Sequence, residues 1–281
     1  MMNFSMMSYS LARQHFDPYE IIAATSELGL EWIDWVSTYG ESPRTLRKCC
    51  AAAGVKIAAY TFFLPDFQAQ KSGWRDQLAK EMATAAELGA PLCMLGTPGL
   101  EYAADRNEGQ KLWLEAVAAF VDAALAYDMV PTVENYPGIT SPMITSSDYA
   151  FFSGTLPELM LTFDPGNAMT GEAPLDCLRK CADRVVHVHF KDWTVSHGPK
   201  PGATQMLDGR FYTPALVGEG DVAIAQVLHE LDYLGYKGCI NIEYESDDIP
   251  AIPAMRRALQ YLHRIEADAS TIEPPAVTVN F

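Results

Sequence analysis

Val185-Val186-His187-Val188-His189-Phe190-Lys191-Asp192 is the stretch on which the reading of this chain turns. Side chains alternate sides along a strand, so each face can be read separately. Val186, Val188 and Phe190 form one face, suited to packing against helices. His187, His189 and Lys191 form the other. A lone strand histidine is ordinarily a satisfied core residue. Two imidazoles and an ammonium in register are a poor core, and they point to a strand whose second face lines a site.

The same pattern recurs on both sides of this stretch. In Cys239-Ile240-Asn241-Ile242-Glu243-Tyr244-Glu245, the isoleucines share one face and Asn241, Glu243 and Glu245 the other. Val130-Pro131-Thr132-Val133-Glu134-Asn135 pairs Thr132 with Glu134. Leu159-Met160-Leu161-Thr162-Phe163-Asp164, followed by Pro165-Gly166-Asn167, pairs Thr162 with Asp164. Each carboxylate stands at a strand end, just before a turn. An inward carboxylate is costly to bury unless it is paired or bound to a cation.

Farther out, short apolar runs alternate with longer amphipathic ones. Strands are expected near 3–9, 30–36, 55–61, 91–96, 130–135, 158–164, 185–191 and 238–245, and helices near 17–28, 43–53, 72–88, 107–127, 146–154, 174–182, 222–234 and 251–266. Eight strands each followed by a helix predict an α/β fold, a single-domain (β/α)8 TIM barrel. The chain has 281 residues, against about 250 for a typical barrel. Residues 1–266 are assigned to the barrel and 267–281, with Pro274 and Pro275, to a C-terminal tail. The one long interval, 192–220, is rich in glycine and proline and predicts an extended loop between strand 7 and helix 7, over the barrel mouth. Pro43 after Ser42 suits a first helical turn, Gly54 and Gly89 suit left-handed helix ends, and Asp221 is placed to cap the seventh helix.

Composition narrows the function. Hydrophobic residues make up 49 % of the chain, enough for a large core. The net charge of −16, with no cluster of lysine and arginine, argues against a nucleic-acid partner. The start shows no signal peptide, and Leu112–Val130, with Glu115, Asp122 and Asp128, is too charged to span a bilayer. The six cysteines form no CxxC pair and suit free thiols in a reducing cytoplasm.

In a barrel, strand ends 5 to 8 come together at the catalytic face. Glu134, Asp164, His189 and Glu243 would then present three carboxylates and one imidazole at one height, with Glu245 the alternative to Glu243. Such a set suits one divalent ion, Mn²⁺ first, with Mg²⁺, Co²⁺ or Zn²⁺ also accommodated.

These strand ends resemble the xylose isomerase-like barrel superfamily, in particular its sugar phosphate isomerase/epimerase branch. The resemblance rests on Val133-Glu134-Asn135, Phe163-Asp164-Pro165-Gly166-Asn167, Val188-His189-Phe190-Lys191-Asp192, Gly218-Glu219-Gly220-Asp221 and Ile242-Glu243-Tyr244, and covers roughly residues 3 to 266. It implies that Glu134, Asp164, His189 and Glu243 bind one divalent metal, and that Glu134 and Glu243 are the acid/base pair of a sugar isomerase or epimerase working through an enediolate. Ketose 3-epimerases of this branch carry a histidine three residues after the metal-binding aspartate. Here that position is Asn167, a candidate substrate contact. Lys191 is either a catalytic electrophile or proton donor, or the partner of a rim carboxylate.

Further candidate substrate contacts are His187, alternatively an added metal ligand, the aromatics Tyr60 and Trp32, and Arg210 and His15 as hydroxyl or phosphate contacts. The expected partner is a small sugar or polyol, with self-association left open, since similar barrels are frequently dimers or tetramers. A dehydratase or other lyase on the same metal site is the alternative activity, since both reactions begin with proton abstraction beside a carbonyl. An apurinic endonuclease would need more histidine ligands and a basic groove. A non-catalytic sugar-binding or partner subunit would be expected to have lost a site carboxylate.

Overall fold

The structure, a computed structural model, describes residues 2–269. Eight parallel strands close into a barrel: β1 (Asn3–Met7), β2 (Trp32–Val36), β3 (Lys56–Phe62), β4 (Leu92–Leu95), β5 (Val130–Glu134), β6 (Met160–Phe163), β7 (Val185–Phe190) and β8 (Cys239–Ile242). Neighbours follow chain order, and β1 closes on β8 with Ser5 beside Asn241. The principal helices are α1 (Pro18–Glu27), α2 (Pro43–Ala52), α3 (Trp74–Leu88), α4 (Arg106–Ala126), α5 (Ser146–Thr155), α6 (Pro174–Cys181), α7 (Ile224–Tyr233) and α8 (Ala251–Ala269). The (β/α)8 expectation is met. Among the described residues, no helix is long and apolar enough to cross a membrane. The expected tail falls mostly outside the described residues, and α8 continues to Ala269.

The core lies between barrel and helices. Val133, Phe163, Val188, Phe190, Ile240 and Ile242 are fully buried there. Burying each such side chain contributes about 1.5–3 kcal/mol. The inner face is unusually polar. Ser5 donates to Asn241 Oδ1 at 3.0 Å, and the hydroxyls of Thr132 and Thr162 meet at 2.9 Å. Short hydroxyls paired across strands satisfy one another below the mouth, so the carboxylates above rest on a hydrogen-bonded floor.

Local signals behave as their chemistry dictates. Pro43 opens α2, and Gly89 ends α3 at φ +79°. Asp221 does not cap α7, whose first residue is Ile224; its carboxylate instead accepts from Val195 N at 2.7 Å. Residues 192–220 are also more ordered than a loop. Asp192–Ser196, Phe211–Ala215 and Thr204–Gln205 form a three-stranded antiparallel sheet. Thr194, Val195, Phe211, Tyr212 and Thr213 are β-formers whose pattern was obscured by the surrounding Gly and Pro. Asp208 N donates to Thr170 O at 3.1 Å, which ties this sheet to the segment that follows Asp164.

Candidate functional site

The site is assembled by backbone devices at the strand ends. Asn135 extends the β5–β6 pairing past its last residues: its Nδ2 donates to Asp164 O at 2.7 Å, and its Oδ1 accepts from Asp164 N at 2.9 Å. Glu134 and Asp164 are thereby held side by side. Asp164 caps the short helix Pro165–Ala168, its Oδ1 accepting from Asn167 N at 2.9 Å. Asp192 gathers the Gly218–Val222 loop, accepting from the backbone N–H of Trp193, Gly218, Gly220 and Val222 at 2.9–3.0 Å. A Cβ on Gly220 would lie 2.2 Å from Asp192 Oδ1, so only glycine fits there.

Three of the four expected ligands converge. His189 Nδ1 lies 2.9 Å from Glu134 Oε1 and 3.5 Å from Glu243 Oε2. Glu245 does not join them. It pairs with Lys191 nearer the rim and is a quarter exposed. Asp164 lies outside the set of ligand atoms within 4.8 Å of one another. Among the described residues its Oδ2 is buried with no hydrogen-bond partner, as is the Oδ1 of neighbouring Asn167. Burial, reinforced by Glu134 and Glu243, pushes Asp164 well above the usual carboxylate range. An orphaned carboxylate oxygen beside two further carboxylates and an imidazole suits a divalent cation, and Glu134, Asp164, His189 and Glu243 are the residues that would hold it.

Lys191 is buried and donates to Glu243 Oε1 at 3.0 Å. Burial alone would lower its pKa, but Glu243 and Glu245 hold it well above the ordinary value. It is therefore an ammonium bound to carboxylates. Asn167 Nδ2 stands 3.4 Å from Glu134 Oε1, which places Asn167 in the site.

Four of the expected substrate contacts are displaced from the mouth, each for a local reason. Tyr60 lies on the outer face of β3, its hydroxyl donating to Glu81 Oε2 at 2.6 Å on α3; Thr61 and Phe63 occupy the inner face instead. Trp32 opens β2 at the opposite end of the barrel, with Lys56 Nζ 4.8 Å from its ring. Arg210 is spent within the insertion sheet, its Nε donating to Asp208 Oδ2 at 2.6 Å. His15 is exposed in a left-handed turn at φ +71°. His187 does point inward, but one layer below His189, where its Nε2 meets Asp34 Oδ2 at 2.8 Å.

Asp34 was missed. It is the one acid in Trp32-Ile33-Asp34-Trp35-Val36, fully buried, and it contacts both histidines. A carboxylate flanked by large apolar residues in a strand was the available signal. A cavity of ≈ 180 Å³ lies beside Glu134 and Glu243. Its lining combines the carboxylates Glu134, Glu243 and Glu245 with the apolar Met7, Val36, Met94 and Phe63 and the phenols Tyr9 and Tyr136.

The model of the family described as "Xylose isomerase-like TIM barrel" matches residues 22–265. The chain belongs to that family. Among solved structures, this xylose isomerase-like barrel superposes on the IOLI protein with a bound zinc atom (TM-score 0.78, 13 % identity, covering 96 % of this chain and all of that one). It is similar also to L-ribulose 3-epimerase (TM-score 0.74, 15 % identity, covering 98 % and 99 %). At these identities the likeness is one of fold. A curated relative, inosose dehydratase of Clostridium perfringens, is 32 % identical over 108 residues, 36 % of this chain and 34 % of that protein. The match thus spans about a third of the relative's length.

Proposed function

We propose that this chain is a divalent-metal-dependent sugar isomerase or epimerase acting on a small, uncharged ketose or related polyol-carbonyl compound. The observation that carries the reading is the convergence of Glu134, from β5, and Glu243, just beyond β8, on His189 Nδ1, at 2.9 and 3.5 Å. A divalent ion bound there, Mn²⁺ by preference, supplies Lewis-acid polarisation of a carbonyl and its neighbouring hydroxyl. Glu134 and Glu243 are the acid/base pair, one taking a proton from the carbon beside the carbonyl and the other returning it. Return to the opposite face gives an epimer; transfer to the neighbouring carbon gives an isomer. Lys191 holds Glu243 charged and in place.

The cavity supports a small neutral substrate. Among the described residues its lining includes neither arginine nor lysine, and the ammonium of Lys191 is already paired. Hydroxyls would meet the carboxylates of the lining while the C–H face of a sugar ring packs on its apolar residues Phe63, Met94 and Val36.

A dehydratase is the second reading, favoured by the partial similarity to inosose dehydratase. Proton abstraction is common to both, and loss of a β-hydroxyl would then replace reprotonation. The test is to incubate the metal-loaded protein in D₂O with ketoses, inososes and 3-keto sugars, beside Glu134→Gln and Glu243→Gln. Deuterium next to the carbonyl, absent in both variants, supports enolisation, and the product separates isomer from dehydrated compound. No exchange across the panel despite bound metal would favour a non-catalytic sugar-binding subunit.

A further inference from the structure

We propose that Asp34 is a positioning residue of the metal centre: it holds the proton of His189 on Nε2 and so presents the Nδ1 lone pair to the ion. The inference rests on the metal-dependent reading above and adds to it a residue outside the ligand set.

Asp34 stands on β2, outside the strands 5 to 8 that carry the expected ligands, and is fully buried. Its Oδ2 meets His187 Nε2 at 2.8 Å and His189 Nε2 at 3.2 Å, and accepts from Asn241 Nδ2 at 3.3 Å. Its Oδ1 accepts from Thr61 Oγ1 at 3.3 Å. Every partner that is not a histidine is a donor, so the carboxylate is held in one orientation.

His189 is contested from both sides. Asp34 lies at Nε2, and Glu134 lies 2.9 Å from Nδ1. A neutral imidazole carries one N–H, and the nitrogen without it is the only one able to bind a metal. A second carboxylate at Nδ1 would otherwise compete for the proton and leave the lone pair facing away from Glu134 and Glu243. Asp34 decides the tautomer because it is fixed by four partners, whereas Glu134 is free to become a ligand itself. His187 takes no ligand position in this scheme. Its ring meets that of His189 edge-to-face, with centroids 5.1 Å apart, and steadies the plane of the imidazole above it.

Asp34, His187 and His189 also lie close enough together to be a ligand set in their own right, which the test must separate from positioning. Wild type, Asp34→Asn and His187→Gln, stripped with chelator and shown by circular dichroism to be folded, are titrated with Mn²⁺ and Co²⁺ by calorimetry. The wild type is expected to bind one ion per chain. Asp34→Asn is expected to bind one ion 10- to 100-fold more weakly, the range for loss of a partner behind a metal-binding histidine. His187→Gln should stay within tenfold of wild type, because Asp34 still reaches His189. Unchanged affinity in Asp34→Asn, or equal losses in both variants, would overturn the positioning role. So would two ions per wild-type chain with one lost in Asp34→Asn, since Asp34 would then be a ligand. A wild type that binds no ion overturns the proposed function itself. Nitrogen-15 spectra of histidine-labelled, zinc-loaded wild type need no variant. The proton is expected on Nε2 of His189 and the metal on Nδ1; the reverse assignment refutes the proposal.

Discussion

Lys191 Nζ and Glu243 Oε1 are 3.0 Å apart, in side chains only 4 % and 7 % exposed. A buried pair of this kind is most informative when half of it is removed. Lys191→Met leaves Glu243 charged and uncompensated, and breaking such a pair is expected to destabilise the protein by about 3–5 kcal/mol. A divalent ion restores positive charge beside Glu243, so part of the loss should be recovered on metal addition. Urea melts with chelator and with Mn²⁺ measure both. An equal loss in the two conditions would place the ion away from Glu243.

Asp164 predicts a change of sign. Its Oδ2 is orphaned and its charge is unwelcome in the metal-free barrel. Asp164→Asn keeps an acceptor for Asn167 N while removing that charge, so in chelator the variant should be as stable as wild type or more so. With metal the order should invert. Wild type gains about 2.7 kcal/mol at a hundredfold excess of free ion over Kd. The variant should gain much less. Thermal melts across a Mn²⁺ series decide it, and a parallel rise in both proteins would remove Asp164 from the ligand set.

Asp192 accepts four backbone N–H groups, which Asp192→Ala would strand. Each buried donor left unsatisfied costs about 1–3 kcal/mol, so a loss of at least about 2 kcal/mol is expected even if water reaches two of them. Amide exchange at Gly218, Gly220 and Val222 should accelerate together. Protection that survives the substitution would mean that the loop is held from elsewhere.

Phe63 and Tyr60 are three positions apart on the chain and on opposite sides of the barrel wall. Phe63→Ala should raise KM several-fold, in line with the roughly 0.5–1.5 kcal/mol of an aromatic contact, with little effect on kcat. Tyr60→Phe should leave both constants alone and lower stability by about 1 kcal/mol through loss of the Glu81 hydrogen bond. Steady-state kinetics on whichever substrate shows exchange distinguishes them; a KM effect at Tyr60 alone would reverse the assignment of faces on β3.

Much of this was legible because strands impose a period of two. His187, His189 and Lys191, like Asn241, Glu243 and Glu245, could be assigned to one face without knowing the barrel's register. Tyr60 shows where that reasoning stops: in Lys56–Phe62 one face carries Lys56, Ala58, Tyr60 and Phe62 and the other Ile57, Ala59 and Thr61, a contrast too weak to say which is inner, and the structure turns Thr61 inward. Arg210 shows a second limit, since a nearby Asp208 claims it before any substrate does.

The eightfold alternation of strand and helix, and the acids and histidines at the ends of strands 5 to 8, are written in the chain itself. Both follow from local periodicity and from the cost of burying an unpaired charge. That Asp34 lies against His187 and His189, residues 153 and 155 positions away, comes from the folded barrel, because closing β1 onto β8 leaves only those two strands between β2 and β7. Such a contact depends on the distance across the barrel, which no pattern along the chain encodes.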